Sequence, residues 1–266
     1  LIFQQAAAQG QTVTAAAGDY SSTDCLADAY DDNGDGYNDN PNVTALSADD
    51  PSGQPYVLGV GGTDLTGSSG ATQNTWNDEY GATGGGVSSH FALDALSGYQ
   101  AGVNGFGYND ACQAAADTKC RQVPDVAALA DPATGYLFAN GQEPNGVQDW
   151  AIFGGTSGAS PTWAALIAQA DLDLSCAAGG SVGFVNPALY KLPATAFHDI
   201  TLGSNYLPET GAQPVDSYRA TTGYDLTTGL GSPHARSVIP ALCKAVPQSA
   251  AGTFTSVNPT RLLDTR

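Results

Sequence analysis

A serine set among glycines carries the strongest chemical signal in this sequence. Gly154-Gly-Thr-Ser157-Gly-Ala-Ser-Pro161 leads from a glycine pair into SGASPTWAALIAQA, which reads as a helix from Ser157 to Ala170. Proline lacks an amide N–H, so Pro161 is tolerated there if it lies in the first turn. That places Ser157 at the helix N-terminus, where unpaired N–H groups and the helix dipole favour developing negative charge. An exposed serine on such a strand-to-helix turn has the setting of a nucleophile. The small residues around it let a peptide backbone approach closely. A lone serine before a helix is more simply an N-cap, so the octet as a whole carries the chemical reading.

Two further groups of oxygen-bearing side chains stand out. Asp19 closes the run Thr12-Val-Thr-Ala-Ala-Ala-Gly18-Asp19, where a Gly-Asp pair by itself reads as a turn. Asp31-Asp-Asn33-Gly-Asp35-Gly36-Tyr-Asn-Asp39 opens like an EF-hand-type loop, with Asp39 at the ninth position. Asn42 stands where the bidentate closing glutamate would be, which lowers calcium affinity; a solvated acidic insertion is the plainer reading.

The elements that must position these residues alternate between helix, strand and polar loop. Phe3 to Gly10 reads as the last turns of a helix ending on Gly10. Gln11 to Ala17 reads as a buried strand, and Tyr56 to Val60 as a second short apolar strand closed by glycines. This order argues for an α/β fold, a parallel sheet flanked by helices. A glycine triplet, Gly84 to Gly86, sits in a long loop over residues 66–90. After Cys243 the composition changes. Residues 246–253 read as a linker and 254–266 as the start of a further module, leaving 1–245 as one domain.

Charged residues number 26 acidic against 8 basic, a formal net charge of −18. A surface this acidic excludes electrostatic binding to nucleic acid or anionic membrane. In an acidic medium many carboxylates are protonated and the self-repulsion falls, so an acidic working pH suits the composition. There is no apolar run long enough for a membrane span. Leu1-Ile2-Phe3 lacks the features of a signal peptide, and the chain reads as starting in mid-domain. Five cysteines in a lysine-poor chain suit an oxidising, extracellular compartment. Cys112 with Cys120 would staple one loop and Cys176 with Cys243 would tie the domain's end to its middle, with Cys25 left over; the sequence leaves the connectivity open.

The Ser157 octet resembles the nucleophile segment shared by subtilisins and sedolisins, and the other motifs choose between the two. Subtilisins need a histidine base in an H-G-T context, and none of His90, His198 and His234 has one. Ala-Ala-Gly18-Asp19 resembles the subtilisin segment that ends in the oxyanion-binding asparagine, with the aspartate of sedolisins in its place. Four further stretches, Pro55–Thr63, Trp76-Asn, Gly81–Phe91 and Arg121–Tyr136, resemble sedolisin motifs in the family's order. The resemblance implies a secreted serine-carboxyl endopeptidase of subtilisin-like α/β fold, acting on polypeptides at acidic pH through an acyl-enzyme on Ser157. It gives Asp19 the role of oxyanion donor. A carboxylate cannot donate a hydrogen bond but a neutral carboxyl can, so this exchange by itself predicts acid activity.

Phe197-His-Asp199-Ile200-Thr201, together with Ala220-Thr-Thr-Gly223-Tyr-Asp225 and the run to Pro233, resembles the family's calcium element. By that resemblance Asp199 and Asp225 supply side-chain oxygens to Ca2+, and Ile200, Thr221 and Gly223 supply carbonyls, a donor set that suits a hard cation. Asp49 or Asp50 would face the first specificity pocket. In one respect the pattern breaks. The family's base is a Glu, oriented by an Asp four residues later, and residues 1–18 contain no acidic residue. Glu79 and Glu143 lie downstream in loops and do not replace it. The sequence therefore reads as the C-terminal part of a catalytic domain, inactive alone, with a propeptide and the N-terminal half expected upstream. Residues 254–266 resemble the P-T-R-L-L-D-T-R opening of a module found on bacterial secreted proteins. Two rival readings are a neutral subtilisin-type protease, which Asp19 argues against, and a non-catalytic calcium-dependent surface or adhesion module on the same fold.

Overall fold

The computed structural model describes residues 2–23, 46–66, 72–93, 98–102, 112, 119–142, 146, 148–173, 181–206 and 218–245. Asp31, Asn33, Asp35 and Asp39, Cys25 and Cys176, Glu143, and the expected linker and module over 246–266 lie outside these residues.

Helix α1 (Ile2–Ala8) ends at Gly10, whose φ of +74° is a left-handed conformation that glycine adopts at no steric cost. Strand β1 (Thr14–Ala16) is shorter than the expected Gln11–Ala17 because its neighbour β2 (Leu58–Thr66) begins only at Leu58, the register partner of Thr14. The second strand, expected at Tyr56–Val60, instead runs on to Thr66, through Gly59, Gly61 and Gly62. These glycines do not stop the strand; they let neighbours come close. A Cβ at Gly59 would lie 2.9 Å from Val123 Cγ1, and one at Gly62 would lie 2.6 Å from Ala130 Cβ.

Short strands β3 (Thr72–Thr75), β4 (Asn77–Asp78) and β5 (Gly81–Ala82) lead to β6 (Gly86–Leu93), which pairs antiparallel with β7 (Lys119–Val123). Strand β8 (Val126–Leu129) pairs parallel with β2, so β1, β2 and β8 form the parallel part of the sheet. Strand β3 joins β2 antiparallel. A hairpin of β9 (Tyr136–Gln142) and β10 (Gln148–Phe153) follows, and delivers the chain to α2 (Thr156–Leu172).

Helix α2 packs across β1, β2 and β8, the expected α/β arrangement. Leu58, Val60 and Val126 of the strands bury themselves against Trp163, Leu166 and Ile167 of the helix. Trp163 is fully buried and donates its indole N–H to the Ala127 carbonyl over 2.8 Å, so the helix is pinned in rotation as well as in depth. Helix α3 (Asn186–Leu189) and helix α4 (Ala235–Ala245) extend the same core through Leu189, Val238 and Leu242. Cys112 and Cys120 form the disulfide their spacing suggested, and Cys243 is also disulfide-bonded. No helix among the described residues is long and apolar enough to cross a membrane.

Candidate active site

Helix α2 begins at Thr156, one residue earlier than expected, and Ser157 lies exposed in its first turn. Pro161 falls in the second turn rather than the first. The carbonyl that an N–H at that position would bond is that of Ser157 itself, so proline withdraws one hydrogen bond from the turn that carries the serine. No described residue hydrogen-bonds the Ser157 hydroxyl. His90 and His234 are exposed, while His198 stacks edge-on against His234. Glu79 sits in the exposed turn between β4 and β5.

The structure brings Asp19 to the start of α2. Its Oδ1 accepts hydrogen bonds from the Thr156 N–H and the Thr156 hydroxyl, each over 2.7 Å. Its Oδ2 makes no hydrogen bond to a described residue. Gly155, with φ of +80°, is the residue over which this oxygen lies: a Cβ there would be 2.5 Å from Asp19 Oδ2. The glycine before Thr156 therefore serves both the left-handed turn and the approach of the carboxyl. Sequence reading passed over Thr156, although it stands inside the octet; what holds Asp19 was visible only once β1 and α2 were placed side by side.

The glycine triplet sits directly behind Asp19. Gly84 donates its N–H to the Gly18 carbonyl over 2.7 Å, and a Cβ on Gly84 would lie 1.7 Å from the Ala17 carbonyl oxygen. Gly85 packs as closely on the other side, where a Cβ would lie 2.0 Å from the Leu226 carbonyl oxygen. Only a backbone without side chains fits between the end of β1 and the loop that follows Asp225. Beyond the triplet, β6 carries Ser88, His90 and Phe91 to a cavity of about 290 Å³ that Asp49 and Asp50 also line.

Asp199 and Asp225, far apart in sequence, meet on one loop. Asp225 Oδ1 accepts from the N–H and hydroxyl of both Thr227 and Thr228, and its Oδ2 accepts the Thr221 N–H over 2.8 Å. Asp199 Oδ2 accepts the Gly223 N–H over 3.0 Å. The carbonyls of Ile200, Thr221 and Gly223 accept no hydrogen bond from a described residue. Two carboxylates and three carbonyls are oxygen donors of the kind a hard cation takes, although both Asp225 oxygens are already engaged by the donors of Thr221, Thr227 and Thr228. Among the described residues there is no group of three or more His, Cys, Asp or Glu side chains placed to hold a metal; here the carbonyls would complete the set.

Deeper in the domain, Arg121 and Asp125 form a bidentate ion pair, with both nitrogen–oxygen distances 2.6 Å and both side chains fully buried. Asp125 also accepts from the Gly59 N–H, the Tyr190 hydroxyl and the Asn186 amide. The Arg121–Tyr136 stretch, read above as a family motif, thus contains a buried charged network that joins β2, β7 and α3.

Taken together, the sheet, the serine in the first turn of α2 and the carboxyl beside it belong to a subtilisin-like α/β domain. Three comparisons place it further. Kumamolisin of Bacillus sp. (strain MN-32) is 39% identical over 251 residues, covering 93% of this chain and 39% of kumamolisin. Sedolisin of Pseudomonas sp. (strain 101) is 32% identical over 243 residues, covering 87% of this chain and 35% of that protein. A solved structure of Pseudomonas sedolisin, a serine-carboxyl proteinase complexed with two molecules of pseudo-iodotyrostatin, superposes with a TM-score of 0.61 at 29% identity. It covers 91% of this chain and 58% of that one. No family model matches the chain. Over most of its length the chain belongs to the sedolisin family. It spans well under half the length of these two relatives.

Proposed function

We propose that this chain contributes the nucleophile and the oxyanion donor of a secreted, acid-acting serine-carboxyl endopeptidase. One observation carries the reading: Thr156 fixes Asp19 Oδ1 while Oδ2 lies over Gly155, two residues before Ser157. When protonated, Oδ2–H is a hydrogen-bond donor at the turn where charge develops. Ser157 Oγ attacks the scissile carbonyl and forms the carbon–oxygen bond. The hydroxyl proton passes to a carboxylate base and from there to the leaving amine. Asp19 and the N-terminus of α2 stabilise the tetrahedral oxyanion, and water then hydrolyses the acyl-enzyme. The base is an upstream Glu/Asp pair outside these 266 residues. Support for this lies in the greater length of the relatives and in the Ser157 hydroxyl having no partner among the described residues.

The cavity beside β6 would take the side chain on the acyl side of the scissile bond, with Asp49 and Asp50 in its wall. Ca2+ held by Asp199, Asp225 and the carbonyls of Ile200, Thr221 and Gly223 would neutralise two carboxylates and stiffen the loop on which Gly85 rests. The ion takes no part in bond making. The deciding experiment joins the upstream segment to this chain and assays acid proteolysis of a denatured protein substrate. Activity that disappears in Ser157→Ala, and is absent from residues 1–266 alone, is the expected result. An equally active Ser157→Ala protein would sink the assignment.

A further inference from the structure

Three carboxyls meet where the supports of Asp19 and of the Ser157 turn come together. Asp64 lies on β2, Asp78 on β4 and Asp131 in the turn after β8. Asp78 and Asp131 are hydrogen-bonded through their carboxyl groups, and the Asp131 charge also acts on Asp64. Every other contact of the pair comes from a donor. Asp78 Oδ1 accepts the Tyr80 N–H over 2.8 Å; Asp131 Oδ1 accepts the Ala133 N–H over 2.7 Å and its Oδ2 the Thr134 hydroxyl over 2.8 Å. Asp131 is buried, Asp64 and Asp78 are half-buried, and Glu79, next along the chain, is exposed. None of the three forms an ion pair among the described residues. Two carboxyls in hydrogen-bond contact cannot both be ionised, so one proton lies between them. Burial first, and then Asp131, raise the Asp78 pKa against the Tyr80 N–H, which lowers it.

Each member of the pair belongs to the support of one half of the site. In register Asp78 lies opposite Gly81, and the Ala82 N–H donates to the Asp19 carbonyl over 3.0 Å while the Ala82 carbonyl accepts from the Ser21 N–H. On the other side, the Ala130 carbonyl accepts the Gly155 N–H over 2.6 Å, and a Cβ on Gly154 would lie 2.6 Å from that oxygen and from the Pro132 nitrogen. We propose that Asp78 and Asp131 share one proton and form a positioning clamp, which holds the Asp19 loop to the Ser157 turn in acid and releases it as the medium becomes neutral. Its catalytic consequence rests on the endopeptidase reading above; the clamp itself does not. Loss of the shared proton leaves two carboxylates in contact, with Asp64 a third beside them and no counter-charge on any of the three. The folded state holds this proton more tightly than the unfolded chain. The clamp is therefore closed below the ordinary carboxylate range and is lost as pH rises through the raised value.

The test uses the protein joined to its upstream segment. Asp78→Asn sets an amide donor against Asp131 at every pH and takes the proton out of the pair. Parent and variant are held at about pH 7, returned to about pH 4 and assayed there, so that the reversible titration of Asp19 drops out. The expected result is that the variant loses its own starting activity about tenfold more slowly than the parent does, the effect of one hydrogen bond to a charged group. Equal rates of loss, or a parent that loses none, overturn the proposal. Amide hydrogen exchange needs no activity, so if neither protein cleaves a substrate the endopeptidase reading fails separately and the clamp is still decided. Between the same two pH values, protection of the Ala82 and Gly155 amides relative to the intrinsic rate falls about tenfold in the parent and holds in Asp78→Asn. The Leu58 amide, bonded to the Val13 carbonyl inside the sheet, keeps its protection in both. A fall that is equal at all three amides reports overall stability alone and overturns the clamp. No fall at Ala82 and Gly155 overturns it as well.

Discussion

Asp19 and Thr156, 137 residues apart, are joined by two hydrogen bonds of 2.7 Å onto a single carboxyl oxygen. One oxygen is thereby an acceptor in both protonation states, and the other is left to carry the proton. Because Thr156 adjoins Ser157, the same contact sets the position of the Asp19 carboxyl relative to Ser157.

Replacing Asp19 separates the donor from the charge. In the protein joined to its upstream segment, Asp19→Ala lowers kcat by about 10²–10³, the loss seen when an oxyanion donor is removed. Asp19→Asn donates through its amide at every pH and still accepts from Thr156, so activity persists and reaches to higher pH than in the parent. Measured pH–rate profiles that coincide for the two variants would rule out Asp19 as donor.

On the proposed role of Asp19, Thr156 acts through it as a positioning residue. Thr156→Val removes one of the two bonds to Oδ1 and lowers kcat by up to about tenfold with KM little changed, since a hydrogen bond to a neutral carboxyl is worth about 0.5–1.5 kcal/mol. Thr156→Ser restores the rate. A change in KM alone, or no rescue by serine, would show that the contact only supports the fold.

Calcium is read out as stability. Chelation lowers Tm by roughly 5–10 °C, because ligand at about a hundred times its Kd adds about 2.7 kcal/mol and each kcal/mol is worth about 2–4 °C in a domain of this size. Asp199→Asn starts from a lower Tm and loses its sensitivity to chelator. Scanning calorimetry with and without chelator decides it, and identical traces for the parent chain would remove the ion from the account.

The Arg121–Asp125 pair predicts an asymmetric cost. Asp125→Asn leaves a buried guanidinium without its counter-charge and destabilises the domain by about 3–5 kcal/mol, read as a shift in the denaturant midpoint. Exposed Asp50→Asn, which hydrogen-bonds Gln54 at the surface, changes it by less than about 0.5 kcal/mol.

Two carboxyls give stability a pH dependence. Burial, opposed by hydrogen bonds from Asn74, holds the Asp64 pKa above the ordinary value of 3.8, and the Asp131 carboxylate adds to the rise. Asp78 is raised by burial and by the same neighbour. The folded state thus binds these protons more tightly than the unfolded chain does. Their contribution is full below the ordinary carboxylate range and is lost as pH rises through the raised values. Asp78→Asn keeps Tm more nearly level between about pH 4 and about pH 7. A steeper fall in that variant would reverse the sign of the argument.

The α/β class was legible in the chain, as were the segments proposed to carry the nucleophile, the oxyanion donor and the calcium ligands, because each reading rests on local residue types in an ordered set: Gly-Thr-Ser before an apolar helix, Gly-Asp after an apolar strand, Asp-Ile-Thr before Gly-Tyr-Asp. What the linear order could not supply was adjacency. Gly61 and Gly62 look like the end of a strand until Pro124 and Ala130 are seen pressed against them. Thr156 looks like the serine's neighbour until β1 is laid beside α2 and its hydroxyl meets Asp19. Likewise the exposure of Trp150 and Ile152 follows only from the hairpin's register against Tyr136–Gln142. Residue type is local, and so the chemistry can be read along the chain. Distance, burial and the face a side chain presents depend on segments that meet only on folding, and these the tertiary structure alone decided.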